Sequence, residues 1–111
     1  MKPQKPHCAV EDLLRLIGGR WKVLVLRALA AGPERHGRLL RSLEGITQKM
    51  LTQRLRELET DGLLRRRELL EGRVKVMEYS LTPWGRQVME IVMEIHDWSE
   101  ANGQRLVRQR R

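Results

Sequence analysis

The tightest constraint on this chain lies between Thr47 and Gly62. Leu51, Leu55 and Leu58 recur at the spacing of one helical face, with Met50 on its shoulder. Thr47 offers a hydroxyl to cap the unpaired N–H groups of a first turn. Gly62 follows the last periodic residue, where a left-handed position favours glycine. Lys49, Thr52, Gln53, Arg56 and Thr60 then face away from the leucines, and Gln48 joins Lys49 in the first turn. An ordinary amphipathic surface helix would share the leucine stripe. The opposite side is more informative, because glutamine pairs with adenine edges in the major groove, and arginine and lysine with guanine and phosphate.

The surrounding sequence builds a body to carry that helix. Val10, Leu13, Leu14 and Ile17 repeat at helical spacing after a Pro-containing segment 1–7 that reads as a flexible arm. Gly18-Gly19 stops that helix, and Trp21 to Ala31 follows, apolar nearly all round and therefore central to the core. Gly32-Pro33 ends it. A short helix from about Arg35 to Leu43, a turn at Glu44-Gly45-Ile46 and the capped helix make a helix-turn-helix over about 35–61.

Beyond Gly62 the period changes. Leu63 to Leu70 and Val74 to Leu81 are extended runs around Glu71-Gly72-Arg73, which predicts a β-hairpin over about 63–81. Arg65, Arg66, Arg67, Arg73 and Lys75 line it, as in a wing that touches phosphates or the minor groove. Thr82-Pro83 is a firm helix start. The helix it opens, about 83–101, carries Val88, Ile91, Val92, Ile95 and Trp98 on one stripe, widened by Met89 and Met93. So wide an apolar stripe exceeds what a small core with its own leucines can cover, which predicts a dimer interface. Residues 102–111 read as a basic tail. The expected fold class is mainly α with a small β-hairpin (α+β), one winged helix-turn-helix domain over 8–111.

Charge agrees with this layout. A formal net charge of +8 on 111 residues points to an anionic partner. Residues 35–75 carry eleven Lys/Arg against six Asp/Glu, whereas the helix near the C-terminus has Arg86 against Glu90, Glu94, Asp97 and Glu100. Arg105, Arg108, Arg110 and Arg111 close the chain. A membrane-surface protein would gather its cations along one long amphipathic helix, and this one does not. One cysteine, Cys8, excludes an internal disulfide and suits a reducing compartment. No apolar run approaches the roughly 18 residues of a spanning helix. A soluble, cytoplasmic protein without membrane contact is expected.

With this order of elements in place, the chain resembles HxlR-type bacterial transcriptional regulators, a branch of the MarR-like winged helix-turn-helix proteins. The matching segments are Cys8 to Glu11, Leu16 to Lys22, Gly45 to Leu58, Gly62 to Arg66 and Glu78 to Gly85, ending at Trp98. They span about residues 8–100, and together they are highly specific. The resemblance implies a homodimer joined by its first and last helices, through Val10 and Leu13 as well as the stripe above, on a palindromic operator. It places helix 47–60 in the major groove and hairpin 65–79 as the wing. It also matches Cys8 to an N-terminal cysteine that some members use to sense quinones, aldehydes or oxidants. A small apolar residue packed under the dimer seam would equally account for Cys8. The chain departs from the family pattern at His36-Gly37, where an aromatic is usual, and at the wing tip, which lacks the usual proline pair.

Other chemistry finds little support. His7, His36, His96 and Cys8 lack metal-ligand spacing, so no metal or cofactor is expected. Glu57, Glu59 and Asp61 read as solvated helix charges rather than acid/base catalysts. No nucleophile triad or phosphate-cradling glycine loop is present, and with 4% aromatics no base-stacking platform is available. The sequence thus predicts a non-enzymatic regulator that binds double-stranded DNA. Base and nearby phosphate contacts fall to Gln48, Lys49, Thr52, Gln53 and Arg56, and a small-molecule or electrophile effector could act through Cys8. The alternatives are a basic RNA-binding module and a protein-interaction module built on helix 83–100.

Overall fold

Leucine dominates the interior. In the computed structural model, which describes residues 8–109, the largest fully buried side chains are Leu26, Leu29, Leu39, Leu51, Leu55, Leu58 and Leu63, with Val25 and Val88. The elements run in the order α1 (Ala9–Ile17), α2 (Arg20–Leu29), β1 (Glu34–Arg35), α3 (His36–Ser42), α4 (Gln48–Thr60), β2 (Leu64–Glu71), β3 (Val74–Leu81), α5 (Pro83–Ala101) and α6 (Gly103–Gln109), and those side chains come from α2, α3, α4, α5 and the turn after α4. The segment expected as a flexible arm, 1–7, and Arg110 and Arg111 lie outside the described residues. The class is mainly α with one small antiparallel sheet, as expected. Helix α2 is its hub, packed against α4, α5, α3 and β3.

Both ends of α4 are fixed by local chemistry. Thr47 Oγ1 accepts from the Met50 N–H at 3.1 Å, which caps the first turn. At the other end Gly62, at φ +80°, closes a Schellman motif. The Leu63 N–H donates to the Leu58 carbonyl at 2.9 Å and the Gly62 N–H to the Glu59 carbonyl at 3.0 Å, with Leu63 tucked beneath.

The same corner anchors α5. Thr82 Oγ1 donates to the Gly62 carbonyl at 2.6 Å and accepts from the Gly85 N–H at 2.9 Å, while the Thr82 N–H donates to the Leu63 carbonyl at 3.1 Å. Helix and turn approach so closely that a Cβ on Gly85 would lie 2.1 Å from the Leu63 oxygen. The end of α4 is therefore tied directly to the start of α5.

The sheet has strand order β1-β3-β2 with every pair antiparallel. Leu64 opposes Leu81, Arg66 opposes Tyr79, and Glu71 opposes Val74 across the turn at Gly72, whose φ is +61°. Alternation puts Leu64, Tyr79 and Leu81 into the core and turns Arg65 and Arg67 to the opposite face.

Two elements differ from the sequence expectation. Glu34–Arg35 is a short strand rather than the start of α3, because it pairs with Tyr79 and Glu78 on β3, a distant partner that local spacing cannot reveal. Residues 103–109, expected only as part of a basic tail, form α6. Asn102 makes the break, its side-chain amide donating to the Trp98 carbonyl at 2.9 Å, and the backbone resumes helical bonding with Leu106 N–H to the Asn102 carbonyl at 3.1 Å.

Candidate nucleic-acid interface

The leucine stripe of α4 decides what its other side can do. With Leu51, Leu55 and Leu58 buried, the helix cannot roll, and Gln48, Lys49, Gln53 and Arg56 are held outward in water. Together with Thr52 they line one open cleft. Thr52 is half-buried, since its hydroxyl lies 3.2 Å from Nε2 of His36 on α3. The residue that departs from the usual aromatic thus ties the first helix of the helix-turn-helix to the second.

Charge on α4 is sorted by side. Among the described residues, no carboxylate lies within ion-pair distance of Lys49 or Arg56. The acids of the helix are instead engaged toward the body. Glu57 Oε2 sits 3.6 Å from Nζ of Lys22, and its Oε1 is 2.9 Å from Nε of Arg54. Glu59 reaches Arg66 of β2 at 3.5 Å. Glu57 and Glu59, expected as solvated helix charges, keep 38% and 35% side-chain exposure and are in addition paired with cations from α2, α4 and β2. The outward side keeps amide, hydroxyl and cationic groups, the donors and acceptors that match base edges and phosphates.

The hairpin is organised differently. Arg67 pairs with Glu78 at 3.7 Å, Lys75 with Glu68 at 3.5 Å, and Glu71 with Arg35 of β1. Arg65 and Arg73 are exposed, without a carboxylate partner among the described residues. The five sequence candidates of the wing thus divide into three neutralised cations and two open ones. At the base of the hairpin, burial pushes the Tyr79 hydroxyl above its ordinary pKa of 10.0, and Glu59 adds to the shift while Arg66 and Arg56 oppose it. A neutral Tyr79 beside Arg66 and Glu59 joins the wing to the end of α4.

The apolar stripe of α5 is split. Val88 and Val92 are 2% and 4% exposed and belong to the core, where they pack under the same body as Met89. They are therefore withdrawn from any surface a partner could reach. The helix is rotated so that one edge of the stripe faces the body and the other faces water. Ile91, Ile95 and Trp98 remain outside, the last at 59% exposure, and Val10 of α1 is likewise exposed. Leu13 is half-buried against the core. Leu106 and Val107 of α6 are further exposed apolar residues that the sequence reading did not single out.

Cys8 is exposed at the N-cap of α1, its carbonyl accepting from the Glu11 N–H at 2.9 Å. Lys2, Lys5 and His7, which precede it in the sequence, lie outside the described residues. One residue escaped sequence reasoning altogether. Lys22 is 8% exposed, on the face of α2 that also buries Val25, Leu26 and Leu29. Its spacing from those residues was the available signal.

Known proteins share this arrangement. The HxlR-like helix-turn-helix family model matches residues 16–107. Over 100 residues, covering 90% of this chain and 79% of the relative, the sequence is 42% identical to the HTH-type transcriptional regulator YybR of Bacillus subtilis. The structure of the redox regulator HypR in its reduced form is similar with a TM-score of 0.82 and 40% identity, covering 89% of this chain and 97% of that one. A MarR-family regulator from Enterococcus faecalis V583 gives a TM-score of 0.78 at 38% identity, with 90% of each chain covered.

Proposed function

The chain belongs to the HxlR-like helix-turn-helix family and is a transcriptional regulator rather than an enzyme, and on that premise we propose that it grips a palindromic operator as a homodimer. In this reading α4 enters the major groove, where Gln48, Lys49, Thr52, Gln53 and Arg56 contact base edges and adjoining phosphates. The hairpin adds phosphate contacts, chiefly through Arg65 and Arg73. Val10, Leu13, Ile91, Ile95 and Trp98 form the seam between protomers, α1 against α5. The observation that carries the reading is the outward side of α4, a continuous polar and cationic strip with its own acids drawn away from it.

The test is a mobility-shift titration against the DNA upstream of the chain's own reading frame and against random duplex. A dimer neutralising about 6–10 phosphates loses roughly 10³- to 10⁵-fold in affinity between about 50 and 200 mM salt. Structured RNA competing as well as duplex DNA would overturn the reading, since duplex RNA hides its major-groove edges. Partner binding without salt dependence, through α5 and with no DNA retardation, would overturn it as well.

Control of that binding falls to Cys8. HypR is a redox regulator with both reduced and oxidised structures, which supports sensing by the exposed thiol at the start of α1. Oxidation or alkylation of Cys8 then shifts α1 at the seam and changes operator affinity. Cys8→Ser should abolish the response to oxidants and electrophiles. An equal response in that variant would remove Cys8 from the mechanism.

A further inference from the structure

A lysine whose stem is buried among leucines needs a reason. Lys22 is the buried charged residue of the described chain, on the helix that contributes Val25, Leu26 and Leu29 to the interior. Removing an ammonium from water is costly unless it is paired. The partner here is Glu57, 3.6 Å away on α4, which also holds Arg54 at 2.9 Å. Arg54 Nε and Glu57 Oε1 are shut off from water and, although 2.9 Å apart, are not aligned as a hydrogen bond, so charge alone joins them. One carboxylate is thus gripped from two sides, by α2 and by its own helix.

The position of Glu57 gives that grip a purpose. Glu57 stands at the border of the outward side of α4 and lines a cleft together with Gln53, Arg56, Thr60 and Asp61. Its backbone position is one residue past Arg56. Released, its side chain would rotate toward the strip proposed to meet phosphates, and a negative charge there would repel them. We propose that Lys22 is a positioning residue for DNA binding: it holds the Glu57 carboxylate away from the DNA-facing strip and so keeps that strip positive. Because α2 continues from α1 through Gly18–Gly19, a shift of α1 carried into α2 would move Lys22 relative to Glu57 and reach the DNA face by charge alone. This inference rests on the DNA-binding reading above.

The experiment is a charge-rescue cycle on the full-length protein. Lys22→Met keeps the length and apolar stem of the side chain and removes the ammonium. Its affinity for duplex DNA should fall about tenfold at low salt, with helical content and dimer state retained. Adding Glu57→Gln to Lys22→Met removes the freed charge and should restore affinity to within about twofold of the unmodified chain. Lys22→Arg, which keeps the cation, should bind DNA as the unmodified chain does, and it serves as the test if Lys22→Met fails to fold. A folded Lys22→Met with unchanged affinity overturns the proposal, as does a double variant no better than Lys22→Met or a folded Lys22→Arg with a tenfold loss. In each of those outcomes the unmodified protein still retards duplex DNA, whereas failure of the DNA-binding reading itself would show as no retardation by the unmodified protein.

Discussion

Helix α4 and the hairpin β2–β3 are both basic, and they spend their charge in opposite ways. The helix sends its acids inward and sideways, Glu57 to Lys22 and Arg54 and Glu59 to Arg66, which leaves Lys49 and Arg56 open among outward-facing amides. The hairpin pairs its cations on its own surface, Arg67 with Glu78 and Lys75 with Glu68, which leaves Arg65 and Arg73. The helix is also locked, with three leucines buried and both ends capped, while the far half of the hairpin buries little apolar surface, Leu70 being 70% exposed. A rigid element with unshielded, directional groups is suited to reading base edges. A thin, largely neutralised ribbon is suited to adding a few charge contacts. Counting basic residues, three on the helix and five on the hairpin, would have ranked the hairpin first.

The largest expected effect probes the rigidity half of that contrast. Leu55→Ala should destabilise the fold by about 2–5 kcal/mol in denaturant unfolding, whereas Leu70→Ala in the hairpin should fall within about 0.5 kcal/mol of the parent. Comparable losses would erase the difference between the elements. Next comes specificity. Arg56→Ala and Gln53→Ala should each lose about 1–3 kcal/mol of discrimination between operator and random duplex, read as the ratio of the two affinities. Smaller still, Arg73→Ala should weaken all duplexes alike and lower the slope of log affinity against log salt by about 1 per protomer. Arg67→Ala should change that slope less, because Glu78 already neutralises it.

The smallest effect lies where the two regions meet. Tyr79 has a folded-state pKa raised above 10.0, by burial first and Glu59 second. Its contribution to stability is therefore complete below pH 10.0 and is lost as pH rises through the higher folded value. Tyr79→Phe should flatten that alkaline fall in thermal stability, and an unchanged alkaline profile would detach Tyr79 from the junction.

Much of α4 was legible in the sequence because its signals are local. The leucine spacing, the Thr47 cap and the Gly62 stop each act within a few residues, whereas the alternation in the hairpin was mixed and left its buried face open. What stayed hidden depends on partners far along the chain. Strand β1 exists through β3, the carboxylates of Glu57 and Glu59 find cations on other elements, and the rotation of α5 sends Val88 and Val92 inward while leaving Ile95 and Trp98 in water. The helical spacing of Val88 and Val92 was clear, but which edge of a wide stripe meets the body is decided by the body. Lys22 went unread although its spacing from Val25, Leu26 and Leu29 was there, because a lysine in an apolar helix acquires meaning only once Glu57 stands opposite.

The claim that everything else leans on is that the outward side of α4 occupies the major groove. Dimethyl sulfate reacts with guanine N7, which lies in that groove, so methylation of operator DNA under saturating protein tests it directly. The account predicts protected guanines in two half-sites about one helical turn (10–10.5 base pairs) apart or a multiple of it, with protection lost in Gln53→Ala/Arg56→Ala at concentrations where that variant still binds. Guanines in the bound half-sites that methylate as fast as in free DNA would contradict it.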